Sequence, residues 1–105
     1  MIAQTPPAPY YAVIFTSVRT GGDEDNYMVT ARRMFELAHQ QDGFLGVEYA
    51  PGITISYWRD EASILAWKRV GEHMEAQRMG REAWYAAFGL RVAKVERDYL
   101  FEKQA

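Results

Sequence analysis

Tyr10–Arg19, YYAVIFTSVR, limits the possible folds more than any other stretch of the chain. Tyr11, Val13, Phe15 and Ser17 alternate with Ala12, Ile14, Thr16 and Val18, and both sets are largely apolar. β-Branched and aromatic residues at this density form a strand, and a strand that is apolar on both sides has to be covered on both sides. The chain has 105 residues, the length of one small domain, so the cover must be assembled from little material.

The remaining punctuation supplies the other elements. Pro6, Pro7 and Pro9 cannot donate ladder hydrogen bonds, so residues 1–9 are expected to be a flexible tail and residues 10–105 the folded domain. Gly21 and Gly22 end the first strand. Asp23 is placed to cap a helix that runs to about Gln41, with Glu24 and Asp25 in its first turn and Tyr27, Ala31, Met34, Phe35 and Ala38 at helical period; Gly43 stops it. GFLGVEYA and ITISYW are strands joined at Pro51-Gly52. The second of them puts Ile53, Ile55 and Tyr57 on one face and Thr54, Ser56 and Trp58 on the other. Asp60 caps a further helix containing Ala62, Ile64, Leu65 and Trp67, Gly71 interrupts it, and a helical pattern resumes from Glu72 to Phe88, loosened at Gly80. A last strand is expected from Leu90 to Glu102, with Arg97 between Val95 and Tyr99 on its more apolar face. A charge in that position needs a carboxylate, an interface or a ligand.

The order is βαββαβ, an α+β ferredoxin-like pattern with an antiparallel sheet and helices on one face. The other face still needs cover. Seven Tyr, five Phe and three Trp are more aromatic surface than one thin layer hides, so a homodimer with two facing sheets is expected.

Composition removes several function classes. Twelve basic and fourteen acidic residues are mixed without runs, so nucleic acid and anionic membrane are not expected partners. The absence of cysteine excludes disulfides, thiolate nucleophiles and Cys-based metal sites. No segment reaches the roughly 18 apolar residues of a membrane span, and the expected location is cytoplasmic.

Chemistry, if there is any, concentrates in Ile53–Trp84, which holds all three tryptophans. On one continuous helix from Glu72, His73, Gln77 and Trp84 project from roughly one side, with the small residues Ala76, Gly80 and Ala83 beside them. That arrangement leaves room for a pocket walled by Trp58 or Tyr57 and by Trp67; equally, the small residues permit close packing around an inert, hydrogen-bonded His73. His39, at a helix end, reads as solvent-facing. Asp60-Glu61 and Glu72 with Glu75 sit near helix N-termini, where acids serve as caps.

At these residues the chain resembles the antibiotic biosynthesis monooxygenase family. The resemblance rests on Tyr57-Trp58 ending a strand, Asp60-Glu61 opening a helix with Ala66-Trp67-Lys68, Glu72-His73 with Ala76 behind, and Arg91-Val92, Val95-Glu96 and Tyr99 in the last strand. It covers about Tyr10 to Phe101 and implies a dimeric α+β barrel with a pocket between sheet and helices in each subunit. Some relatives oxygenate anthrone- or quinol-type aromatics without metal or prosthetic group, and on this reading no cofactor is expected. A haem-degrading branch carries an iron-ligating histidine ten residues after the helix tryptophan and an asparagine on the first strand. Here Gln77 stands at the first position, and the only asparagine, Asn26, lies outside the first strand.

Two readings follow. In the first, the protein is a cofactor-independent oxygenase of a small aromatic molecule: His73 is the base, Gln77, Arg97 or Tyr57 orients the substrate oxygen, and Trp58, Trp67, Trp84, Phe15 and Phe44 stack on the ring. In the second it is a non-enzymatic ligand-binding or stress-associated dimer in which those groups are structural. Haem binding is a third possibility.

Overall fold

The computed structural model describes residues 2–104 and contains β1 (Tyr10–Arg19), α1 (Glu24–His39), β2 (Phe44–Ala50), β3 (Ile53–Trp58), α2 (Glu61–Lys68), α3 (Gly71–Met79) and β4 (Tyr85–Val95). The four strands form one antiparallel sheet in the order β2-β3-β1-β4. This is the expected α+β ferredoxin-like arrangement. The two-sided strand β1 takes a central place, flanked by β3 and β4.

Register and ring contacts define which face the helices cover. Tyr11 pairs with Trp58, Val13 with Ser56 and Phe15 with Thr54 across to β3; on the other side Val13 pairs with Val92, Phe15 with Leu90 and Ser17 with Phe88. Paired residues share a face. Trp58 packs against Trp67 of α2, and Phe15 meets Tyr85, which Tyr27 of α1 also touches, so these rows form the helix side. Tyr10, Ala12, Ile14 and Tyr57 therefore point to the far side.

Trp58 is the centre of the helix-side core, with 0% exposure. Its indole N–H donates to Ser56 Oγ at 2.9 Å, so the ring is buried without an orphaned donor. Gly43 fixes the neighbouring corner: its φ is +86°, and a Cβ there would collide with the Ser63 hydroxyl, so the start of β2 can lie against the start of α2. Asp60 caps α2 as expected, accepting from the Ser63 backbone N–H at 2.8 Å. Asp23 does not cap α1 in that way. It adopts a left-handed φ of 57° without a side-chain cap bond, and its carboxylate accepts instead from Asn26 and from the Trp84 indole.

The C-terminal half departs from the sequence-based expectation. The helix expected from Glu72 to Phe88 ends at Met79; Gly80–Trp84 form a π turn, and Tyr85–Phe88 already belong to β4. β4 ends at Val95, so residues 96–104 are not strand, and Arg97 lies on no sheet face. The cause is pairing: the long apolar partner β1 recruits Tyr85–Phe88 through Arg19, Val18 and Ser17, with a bulge at Val18/Arg19 absorbing the π turn's mismatch. At the far face both tails are tied down, since the Ala3 N–H donates to Glu48 at 3.0 Å and the Tyr10 hydroxyl donates to Asp98.

Trp58→Ala is expected to cost about 3–5 kcal/mol of unfolding free energy, read from urea or thermal unfolding, because no neighbouring side chain can refill the space.

Candidate functional site

Trp58 begins a column of rings that crosses the helix layer. Phe44 stands edge-on to it at 5.4 Å between centroids, and Trp67 of α2 stacks above it at 6.1 Å and 27°. His73 of α3 stacks on Trp67 at 4.2 Å and 15°. Sheet, α2 and α3 are thus linked by Trp58, Trp67 and His73.

The histidine is held by two contacts. Its Nδ1 lies 3.0 Å from the Trp67 carbonyl oxygen. A carbonyl only accepts, so Nδ1 carries the proton and Nε2 holds the lone pair in the neutral ring. Burial against the indole pushes the imidazole pKa below its ordinary 6.5, and the carbonyl hydrogen bond opposes that shift only in part. His73 is therefore a neutral base with a defined tautomer at neutral pH.

The other expected residues divide into groups. Phe44 and Trp58 belong to the column. Phe15 lies on the same sheet face farther along β1, against Tyr85 and Phe88 at 5.3 and 5.5 Å. Next to it Phe88, Leu90 and Val92 of β4 also face the helix side, yet they are 43%, 53% and 45% exposed. The helices leave this β1–β4 floor open. Gln77 follows His73 by one turn of α3 and is half-buried.

Three residues do not join them. Tyr57 points to the far face, where its hydroxyl donates to Glu48 at 2.6 Å and its ring meets Tyr10. Burial and the adjacent Glu48 carboxylate push its pKa far up, so it stays a neutral phenol. Trp84 lies beyond the end of α3 rather than on its face. Its ring is 4% exposed, it meets Tyr27 edge-on, its indole N–H donates to Asp23 at 3.2 Å, and its carbonyl accepts from Thr20 N–H at 2.9 Å. These bonds pin the loop between β1 and α1. Arg97 is exposed and forms no ion pair among the described residues. His39 is exposed, rests between Phe35 and Phe44, and its Nδ1 bonds the Phe35 carbonyl at 2.7 Å.

A cleft of about 340 Å3 lies between α1 and α3, bounded by Trp84 and lined on α3 by Glu72, Glu75, Ala76 and Met79 rather than by His73. Sequence reasoning missed it because its apolar wall, Val29 and Met34 with Ala76 and Met79, is divided between two helices. Beside His73 itself, one ring face is occupied by Trp67.

The two positions that distinguish the haem-degrading branch do not fit haem here. Gln77 lacks an imidazole, and Asn26 stands on α1, its amide donating to Asp23. Among the described residues, no group of three or more His, Asp or Glu side chains is arranged to hold a metal ion, and no helix is long and apolar enough to cross a membrane.

The sheet order and the helix layer define the fold. The fold superposes on a crystal structure of an antibiotic biosynthesis monooxygenase with a TM-score of 0.68, covering 81% of this chain and 97% of that one at 13% identity. Sequence similarity extends further: the chain is 46% identical to the uncharacterized protein YqjZ of Bacillus subtilis, over 97% of its own length and 93% of that protein. It is 32% identical, over 81% of its length, to a jasmonate monooxygenase of Pyricularia oryzae, of which it spans only 43%. No family model matches the chain. The chain is thus a relative of YqjZ over nearly its full length, and its fold is the one found in antibiotic biosynthesis monooxygenase structures.

Because the folded His73 pKa lies below the unfolded value, the unfolded chain binds the extra proton first as pH falls. The His73 contribution to stability is expected to be complete above about pH 6.5 and to decline as pH drops through and below that value. Imidazole titration by NMR should give a midpoint below 6.5, and His73→Phe should flatten this part of the stability profile.

Proposed function

We propose that the protein is a cofactor-independent monooxygenase of a small, electron-rich ring compound of the anthrone or quinol type, bound on the open floor between sheet and helices. The observation that carries this reading is His73, a neutral imidazole whose Nδ1–H is fixed on the Trp67 carbonyl and whose Nε2 is left to accept a proton. Two further features support it: the exposed apolar floor of Phe88, Leu90 and Val92, and the 32% identical relative named as a jasmonate monooxygenase.

The chemistry asks little of the protein. Nε2 takes an acidic C–H or O–H proton from the substrate, and the resulting electron-rich anion passes an electron to oxygen. One oxygen atom enters the substrate carbon, the other leaves as water, and the substrate's own C–H bonds supply the electrons. Phe15 and the ring edge of Trp67 meet a planar substrate, and Gln77, one turn from His73, offers an amide to the developing oxyanion. Trp58 acts from below, by holding Trp67. Trp84, Tyr57 and Arg97 have no part in this version of the site, since they lie at the β1–α1 loop, on the far sheet face and beyond β4.

The far face of the sheet is assigned to a second copy of the chain. Ile14 and Ile55 pair there and are only half-buried, while Val18 is 61% exposed. The face-to-face contact between Trp67 and His73 favours the other reading, a ligand-binding dimer with an inert histidine, because it occupies one side of the ring.

Oxygen uptake separates the two. With anthrone as substrate, the enzyme reading expects protein-dependent oxygen consumption that His73→Ala lowers by about 10²-fold or more, in the range of a positioned general base. Uptake equal to that of the protein-free solution, or equal in the variant, would assign His73 to structure.

A further inference from the structure

We propose that the cleft between α1 and α3 is a second binding site, separate from the sheet-side site, for a neutral two-ring molecule that carries one hydroxyl or amine donor. It does not depend on the catalytic reading. Its volume of about 340 Å3 falls within the range of small-molecule pockets. Glu72, Glu75 and Met79 line it from a side of α3 about 100° or more around the helix from His73 and Gln77, with Ala76 between the two faces.

The lining sets the class of ligand. Trp84, 4% exposed, is a rigid aromatic wall, and Met34 and Met79 are flexible side chains that adapt to a flat apolar body. The charges at the mouth exclude an anion. Arg33 is spent on a two-pronged pair with Glu72, at 2.9 and 3.1 Å, and Glu75 is paired with Arg78. The cleft thus shows two carboxylates against one guanidinium that is already matched. A neutral donor group suits the remaining polar atoms better: the Asn26 amide nitrogen donates to Asp23, which leaves its oxygen to accept, and the Thr30 hydroxyl stands on the same wall.

The test is a titration of the full chain with 2-naphthol, followed through the indole N–H resonances of the three tryptophans and assigned with Trp84→Phe. The expected result is a saturable shift of the Trp84 resonance with Trp67 unmoved. Val29 lines the cleft and is 70% exposed, so Val29→Phe narrows it without touching the core and is expected to weaken binding at least tenfold. Ala76→Phe, checked for an unchanged Trp58 resonance, should do the same, while His73→Ala should leave binding as it was. 2-Naphthoate, the same rings with a carboxylate, should bind at least tenfold more weakly than 2-naphthol. No saturable shift, a shift centred on Trp67, or unaltered binding in Val29→Phe would overturn the site, and equal binding of 2-naphthoate would overturn the ligand class.

Discussion

The burial of Trp58 is the constraint on which the rest of the helix layer depends. A tryptophan with no exposed surface, at the end of β3 in the middle of a four-stranded sheet, needs a large flat partner above it and a hydrogen-bond acceptor for its N–H. Trp67 is that partner, and Ser56 is the acceptor. Placing Trp67 there sets the height of α2, and the Trp67 carbonyl and ring then set the position and tautomer of His73 on α3. The chemical state of the histidine is therefore a consequence of packing that begins in the sheet.

The same sheet divides its labour between two faces. On the helix side, the column fills the Trp58 end of β3, and the β1–β4 half is left open with Phe88, Leu90 and Val92 in view. On the far side the tails close one end through Glu48 and Asp98. Outside both, the helix layer has its own space between α1 and α3, with Trp84 as a shared support. One small chain thus carries an exposed apolar strip on the β1–β4 half of the sheet and an apolar cleft between two helices, the latter walled by Trp84.

The sequence was most legible where period and punctuation agreed. β1, the Pro51-Gly52 hairpin and the Asp60 cap can all be read from local chemistry, and with them the βαββαβ order; the interruption expected at Gly71 falls at Arg69-Val70, and Gly71 opens α3. Tyr85–Phe88 could not be read that way. YAAF is compatible with a helix, and only the pairing of those residues with Arg19, Val18 and Ser17 makes them strand, a tertiary effect that overrides propensity. The error carried into the site, because the grouping of His73, Gln77 and Trp84 assumed one continuous helix. The π turn after Met79 sends Trp84 to Asp23 instead. Arg97 failed for the same reason in reverse: alternation extended β4 past Val95, where β1 has no residue left to pair. Trp67 above Trp58 was expected as a wall of a pocket, and its stacking on His73 came from the three-dimensional path of α3, which spacing along one helix does not encode.

The central claim, that the column from Trp58 through Trp67 sets the chemical state of His73, is tested most directly by titrating the His73 imidazole by NMR in Trp67→Ala. The account predicts that the midpoint rises from below 6.5 to that value or above it, since the burial that disfavours the cation is lost while the backbone carbonyl remains, with the Trp58 indole resonance showing that the sheet is intact. A midpoint unchanged from that of the native chain would contradict it.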